Sequence, residues 1–137
     1  MALIVQKYGG TSIGSIDRIK NVARRLEKWH KAGHQLVVVV SAMSGETNRL
    51  LGLAKEVQAC PDPRELDVVA STGEQVTIAL LAMALMDRGF SAKSYTGPQV
   101  HVLTDSAFTK ARILEIDEKN IRRDLERGTI VVVAGFQ

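Results

Sequence analysis

Leu36 to Val40 is an unbroken run of five apolar residues, four of them valine. A strand built from such a run has no face to give to water, so both of its faces must be covered. Strands of that kind belong to parallel sheets packed between helices. Thr129 to Ala134 repeats the pattern, and Leu3 to Gln6 is a shorter version of it.

The segments between these runs read as helices. Ser15 stands as an N-cap for a helix reaching about Ala32, with Gly33 as its stop. Ile16, Ile19, Val22, Ala23, Leu26 and Trp29 fall on one side of it, and most of its basic residues fall elsewhere. Asn48 to Ala59 is a second helix, broken by Pro61 and Pro63. Arg64 to Ala70 begins another, Ser71 to Glu74 interrupts it, and an apolar helix runs on from Glu74 to Asp87, ended by Gly89. Ala92 to Tyr95 and Val100 to Leu103 are short strand candidates around the Gly97-Pro98 turn. Ile116 to Glu126 reads as a charged helix with Ile121 and Leu125 inward, closed by Gly128. The order β-α-β-α-α-β-β-α-β predicts an α/β domain, a parallel sheet with helices on both faces.

Composition narrows the classes. A chain of 137 residues, 45% hydrophobic and 24% charged, is that of one soluble globular domain. A net charge of +3 with 4% aromatics argues against a nucleic-acid surface. The single cysteine, Cys60, cannot form an internal disulfide, which fits a reducing cytoplasm. The opening residues are too short an apolar stretch for a signal peptide, and Ile78 to Met86 falls short of a membrane span. His30, His34 and His101 lack metal-ligand spacing and read as solvated or core histidines, and Cys60 reads as inert.

Three loops carry candidate chemistry. Lys7-Tyr8-Gly9-Gly10-Thr11-Ser12 follows the first strand. Glycines there let backbone N–H groups approach phosphate oxygens, and a lysine ammonium offsets charge on a phosphoryl group in transfer. It is neither a P-loop, since Ser15-Ile16 stands where Lys-Ser/Thr is needed, nor a dinucleotide fingerprint. A simple turn remains its alternative. Ser41-Ala42-Met43-Ser44-Gly45-Glu46-Thr47-Asn48 follows the second strand at the same sheet edge. Its hydroxyls suit a substrate carboxylate, or Ser44 or Thr47 simply caps the next helix. Ser71-Thr72-Gly73-Glu74-Gln75 places Glu74 before an apolar helix, either for the helix dipole or as partner to a substrate ammonium.

Taken together, Lys-Tyr-Gly-Gly-Thr-Ser at 7–12, Val-Ser-Ala-Met-Ser-Gly-Glu-Thr-Asn at 40–48 and Ser-Thr-Gly-Glu-Gln at 71–75 resemble the N-terminal signatures of aspartate kinases. Ser94 to Gly97, Thr104 to Ser106, Lys110 to Ile113 and Val133 to Gln137 continue the resemblance in register. It implies the amino-acid kinase fold, a three-layer α/β/α sandwich around a mostly parallel sheet. It also implies phosphorylation of the L-aspartate side-chain carboxylate by ATP, with Mg2+ carried mainly by the nucleotide. The product is 4-phospho-L-aspartate, which opens the route to lysine, threonine and methionine.

By that resemblance Lys7 is the catalytic cation, and Lys7, Tyr8, Gly9 and Gly10 form the phosphate loop. Ser41 and Thr47 contact aspartate, and Glu74 holds its ammonium. Phe108 and Pro98 depart from the family pattern at positions outside these roles. The family continues well past Gln137, through the rest of the kinase domain and ACT-type regulatory domains. Residues 1–137 are therefore expected to be an incomplete kinase domain, inactive alone and prone to homo-oligomerise through its uncovered surfaces. The competing readings are another amino-acid kinase, acting on glutamate, N-acetylglutamate or a nucleoside monophosphate, and a non-catalytic self-associating module.

Overall fold

A computed structural model describes residues 1–100, 102–116 and 118–135. His101 and the Phe136–Gln137 end of the last motif lie outside the described residues. Strand β1 (Leu3–Tyr8) leads through a short 3-10 helix (Gly10–Ile13) into α1 (Ile16–Lys31) and β2 (Gln35–Val40). Helices α2 (Glu46–Val57) and α3 (Pro63–Asp87) follow, then β3 (Ala92–Tyr95) and a hairpin of β4 (Val102–Thr104) and β5 (Ile113–Ile116). Helix α4 (Lys119–Glu126) and β6 (Ile130–Ala134) complete the order.

The main sheet is wholly parallel, in the order β1-β2-β6-β3. The apolar runs at β2 and β6 lie side by side at its centre, as strands covered on both faces must. Along one face, α1 and α3 pack Ile19, Val22, Leu26, Leu81 and Leu85 onto Leu36, Val38, Val40, Ile130 and Val132. Leu26, Leu81 and Leu85 have no exposed surface. Burying each is worth roughly 1.5–3 kcal/mol. On the opposite face, α4 sets Ile121 and Leu125 against Val37, Val131, Val133 and Tyr95. The expected three layers are therefore present.

Helix ends follow local chemistry. The Ser15 side chain accepts from Arg18 N at 3.2 Å, and Gly33, at φ +92°, turns the chain out of α1. Asp62 caps α3, accepting from Glu65 N at 3.1 Å, with Pro63 in the first turn. Between α1 and α3, Glu27 takes Lys31 at 2.6 Å and also pairs with Arg88. Hydrogen bonds from Lys31 and then Arg88 hold its carboxyl below the usual range. His30 Nε2 meets the Gly128 carbonyl at 3.0 Å, and His34 Nδ1 accepts from Ala2 N at 3.1 Å, so both histidines serve the scaffold. Cys60 is exposed.

Six expectations change. Leu3 to Gln6 is not covered on both faces: β1 is the edge strand of the sheet, and Leu3 and Val5 are exposed. The strand read at Val100 to Leu103 is β4 (Val102–Thr104), paired outside the main sheet, because Pro98–Val100 forms a short 3-10 helix. Ser71 to Glu74 does not interrupt a helix: α3 runs unbroken for 25 residues. Its polar side chains bond to their own helix, Ser71 to the Val68 carbonyl, Thr72 to that of Val69 and Thr77 to that of Gly73. By length and composition α3 could cross a membrane, unlike the shorter run seen in the sequence, but it packs as a core helix over the sheet. Ile116 belongs to β5 rather than to a helix, because the hairpin pairs it with Val102. At the two ends of the α1 stripe, Ile16 and Trp29 are 51% and 39% exposed and lie outside the core cluster.

One buried polar pair fastens α4. The Tyr95 hydroxyl donates to Asp124 Oδ2, and Asp124 is only 6% exposed. Burial, then this bond, pushes the Tyr95 phenol up to about 12. The folded chain thus keeps a proton that the unfolded chain loses near pH ~10. The stabilisation is complete below that pH and disappears as the pH climbs toward the folded value. Tyr95→Phe should cost about 2 kcal/mol in urea unfolding at pH 7, the scale of a hydrogen bond to a charged group. The gap between wild type and variant should narrow in titrations taken above pH ~10.

Candidate functional site

Parallel register brings the strand ends to one level. Tyr8 pairs with Val40, Val40 with Ala134, and Tyr95 with Val133. The loops leaving β1, β2 and β6 therefore start side by side, at the edge where open α/β sheets bind ligands. Ser41 N donates to the Tyr8 carbonyl at 3.3 Å, and Gly135 N to that of Val40 at 2.9 Å.

The first two loops touch through glycine. A Cβ on Gly10 would stand 3.2 Å from the Ala42 carbonyl oxygen, and one on Gly14 would stand 3.3 Å from Ser44 Cβ. Gly9 has nothing within 4 Å of that position, so its backbone is open to a ligand. Together the loops line a cleft of about 340 Å3 formed by Gly10, Thr11, Ser41, Ala42, Ser44, Thr47 and Asn48, among others.

Helix α2 opens onto this cleft. Its N-cap is Gly45, at φ +79°, and no side chain caps it. Neither Ser44 nor Thr47 performs the capping role that was their alternative. The helix mouth and the exposed Thr47 hydroxyl are thus left to face the cleft, an arrangement suited to an anion. Glu46 turns aside to Arg49 at 2.5 Å, whose hydrogen bond holds its carboxyl below the usual range.

Glu74 is 4% exposed and lies near the middle of α3. The dipole of a helix start therefore does not explain it. It follows Gly73, the residue at which α3 touches the second loop: a Cβ there would stand 3.0 Å from Ala42 Cβ.

Lys7 and Tyr8 sit apart from the cleft. Side chains alternate along β1, so Lys7 shares the exposed side of Leu3 and Val5 while Tyr8 turns toward α1. Both line a separate cavity of about 490 Å3 with Gln6, Arg25, Lys28 and Trp29. Tyr8 donates to Gln6 Oε1 at 2.6 Å, and burial raises its phenol against the pull of Arg25. Lys7 is exposed and has no ion-pair partner among the described residues. The structure thus gathers Gly10, Ser41 and Thr47 in one cleft, sets Glu74 in the helix behind it, and leaves Lys7, Tyr8 and Gly9 on the β1 side.

Two features escaped the sequence reading. Gly45 and Gly73 both matter through backbone position, and a lone glycine inside a helical run was the available signal for the second. A cavity of about 520 Å3 also lies beyond β3 and β6, lined by Ser71, Gln75, Thr96, Pro98 and Phe108 among others. Pro98 and Phe108, the two positions expected above to depart from the resemblance, both line it.

Residues 2–137 match the profile of the amino acid kinase family. The chain belongs to that family. It is 66% identical, over all of its 137 residues, to the aspartokinase of Pseudomonas aeruginosa, of which it covers 33%. It thus spans about a third of the length of the curated relatives it matches. The crystal structure of aspartate kinase from Synechocystis matches 98% of the chain at 44% identity with a TM-score of 0.80, covering 22% of that protein. The E. coli aspartokinase III complex with aspartate and ADP overlays on 99% of the chain at a TM-score of 0.82 and covers 41% of its own chain. At 21% identity that likeness speaks to the α/β kinase fold alone.

The glycine that caps α2 and the one inside it should respond oppositely to alanine. Gly45→Ala forces a side chain into left-handed backbone and should cost about 1 kcal/mol. Gly52→Ala, within α2 and with nothing within 4 Å, should gain up to about 0.8 kcal/mol. Denaturant unfolding of both variants checks the pair.

Proposed function

We propose that this chain is the N-terminal part of an aspartate kinase domain and supplies one wall of a site joining ATP to L-aspartate. The observation that carries the reading is the cleft where Gly10, Ser41 and Thr47 meet beside the uncapped mouth of α2. The 66% identity to an aspartokinase supports the choice of aspartate over the other substrates of this fold.

The residues present suit ATP. Gly9 leaves its backbone open, and Lys7, on the neighbouring side of β1, offers an exposed ammonium with no ion-pair partner among the described residues. ATP supplies the phosphoryl group, with Mg2+ on its phosphates; among the described residues no cluster of three His, Cys, Asp or Glu offers a metal cage. Lys7 neutralises charge on the phosphoryl oxygens while Gly9 and Gly10, with Tyr8, form the loop beside them. Ser41, Thr47 and the N–H groups of α2 hold the aspartate carboxylates. Glu74 pairs with the substrate ammonium, which selects an amino acid over a plain dicarboxylic acid. Positioning and charge neutralisation are most of what phosphoryl transfer requires. The product is 4-phospho-L-aspartate, an entry to lysine, threonine and methionine, in the reducing cytoplasm that a lone cysteine suits.

Self-association belongs to the same reading. Val68, Val76, Met83 and Met86 form a row along α3 and are each more than half exposed. A monomeric mass in light scattering would count against it.

The test is a hybrid enzyme, with this chain in place of the matching third of the Pseudomonas aeruginosa aspartokinase. It should consume ATP only when L-aspartate is present. Lys7→Ala should lower kcat ~100-fold or more, the scale of a lost transition-state charge partner. Glu74→Gln should raise the aspartate KM by at least ~10-fold with little change for ATP, as loss of a charged pairing predicts. A folded hybrid that prefers glutamate, or ignores aspartate, would overturn the assignment. The 137-residue chain alone is expected to show no turnover.

A further inference from the structure

Gly73 lies within α3, where glycine is unfavourable by up to about 1 kcal/mol relative to alanine. The contacts around it supply a reason for it. A Cβ on Gly73 would stand 3.0 Å from Ala42 Cβ, 3.3 Å from Leu50 Cδ1 and 3.4 Å from Glu46 Cγ. Carbon atoms in contact prefer about 3.5–4.0 Å, so the added methyl must displace its neighbours. Leu50 and Glu46 present flexible side-chain atoms. Ala42 presents a Cβ fixed to the backbone of the second loop, next to Ser41, and is 5% exposed.

That loop is also packed against the first loop: a Cβ on Gly10 would meet the Ala42 carbonyl oxygen at 3.2 Å and Ser44 Cα at 3.4 Å. The segment Ser41–Ser44 is thus held between α3 and the first loop, each contributing a glycine at the contact. Glu74 is the next residue along α3. One contact therefore sets the distance between the helix bearing Glu74 and the loop bearing Ser41.

We infer that Gly73 is a positioning residue: its missing side chain seats the Ser41–Ser44 loop against α3 and so fixes the spacing between Ser41 and Glu74 in the amino-acid subsite. The inference rests on the aspartate-kinase reading. It adds a residue that touches no substrate and sets the geometry of those that do.

The test uses the same hybrid enzyme and a compensating pair. Gly73→Ala should raise the aspartate KM at least ~10-fold and leave the ATP KM within about 2-fold, since displacements near 1 Å cost up to ~100-fold. Ala42→Gly removes the methyl that the new side chain meets. Ala42→Gly/Gly73→Ala should therefore bring the aspartate KM back to within about 3-fold of wild type, a non-additivity expected of groups in contact. Gly52→Ala, away from the cleft, should leave both constants unchanged.

An unchanged aspartate KM in Gly73→Ala overturns the inference. So does an equal rise in both KM values, or a loss that Ala42→Gly fails to relieve. If Gly73→Ala alone unfolds below the assay temperature, the double variant still decides: near-wild-type aspartate KM and unfolding temperature support the inference, and a weakened aspartate KM in a folded double variant overturns it. A wild-type hybrid with no aspartate-dependent turnover removes the kinase reading and this inference with it. An active wild type with an indifferent Gly73→Ala removes the inference alone.

Discussion

Everything in this structure depends on the parallel pairing of β2 with β6. Val37 to Val40 runs beside Val131 to Ala134, and both strands are covered by helices from each side. Val38, Val40, Val131 and Val132 have no exposed surface. Full burial of such side chains contributes roughly 1.5–3 kcal/mol each, so the register cannot slip without turning core residues out of place. Val40 pairs with Tyr8 on one side and Ala134 on the other. The pairing that makes the core thus also decides that three loops leave the sheet at the same height.

Close approach does the rest. Gly10, Gly14, Gly73 and Gly135 each lie where a Cβ would come within 3.0–3.3 Å of another element at the strand-end edge. Core packing brings the elements together, and these glycines let their backbones touch. The outcome is a cleft lined by hydroxyls and backbone from both loops and the start of α2, with Glu74 buried in the helix behind it. Gly45 belongs to a different class: it has room around it, and its left-handed backbone turns the chain into α2. That turn leaves the mouth of α2 uncapped and the Thr47 hydroxyl free of capping duty.

Much of the fold was legible because its signals are local and periodic. The all-apolar strands, the Ser15 cap, the Gly33 and Gly89 stops and the alternation of strands with helices are visible in short windows. The continuity of α3 was not, because Ser71, Thr72 and Gly73 look like a break. Hydroxyls bonded back to helix carbonyls remove the break only once the helix exists. Strand β5, and with it the hairpin, was missed because Ile116 fits a helical stripe as well as a strand, and cross-strand pairing decides between them. Glu74 was singled out by its motif, but its setting at mid-helix, buried, could not be read from that motif.

By itself the sequence determined the class: which segments are the parallel strands, that the central ones are covered on both faces, and which three motifs carry the family resemblance. These follow from hydrophobic period and residue type, which act over a few residues. Tertiary structure alone decided that the last strand inserts between β2 and β3, that Gly10, Ser41 and Thr47 share a cleft while Lys7 lies on the neighbouring side of β1, and that Gly73 carries α3 up to the loop. These depend on distances between residues tens of positions apart. Such distances are set by how whole elements pack, and no local pattern encodes them.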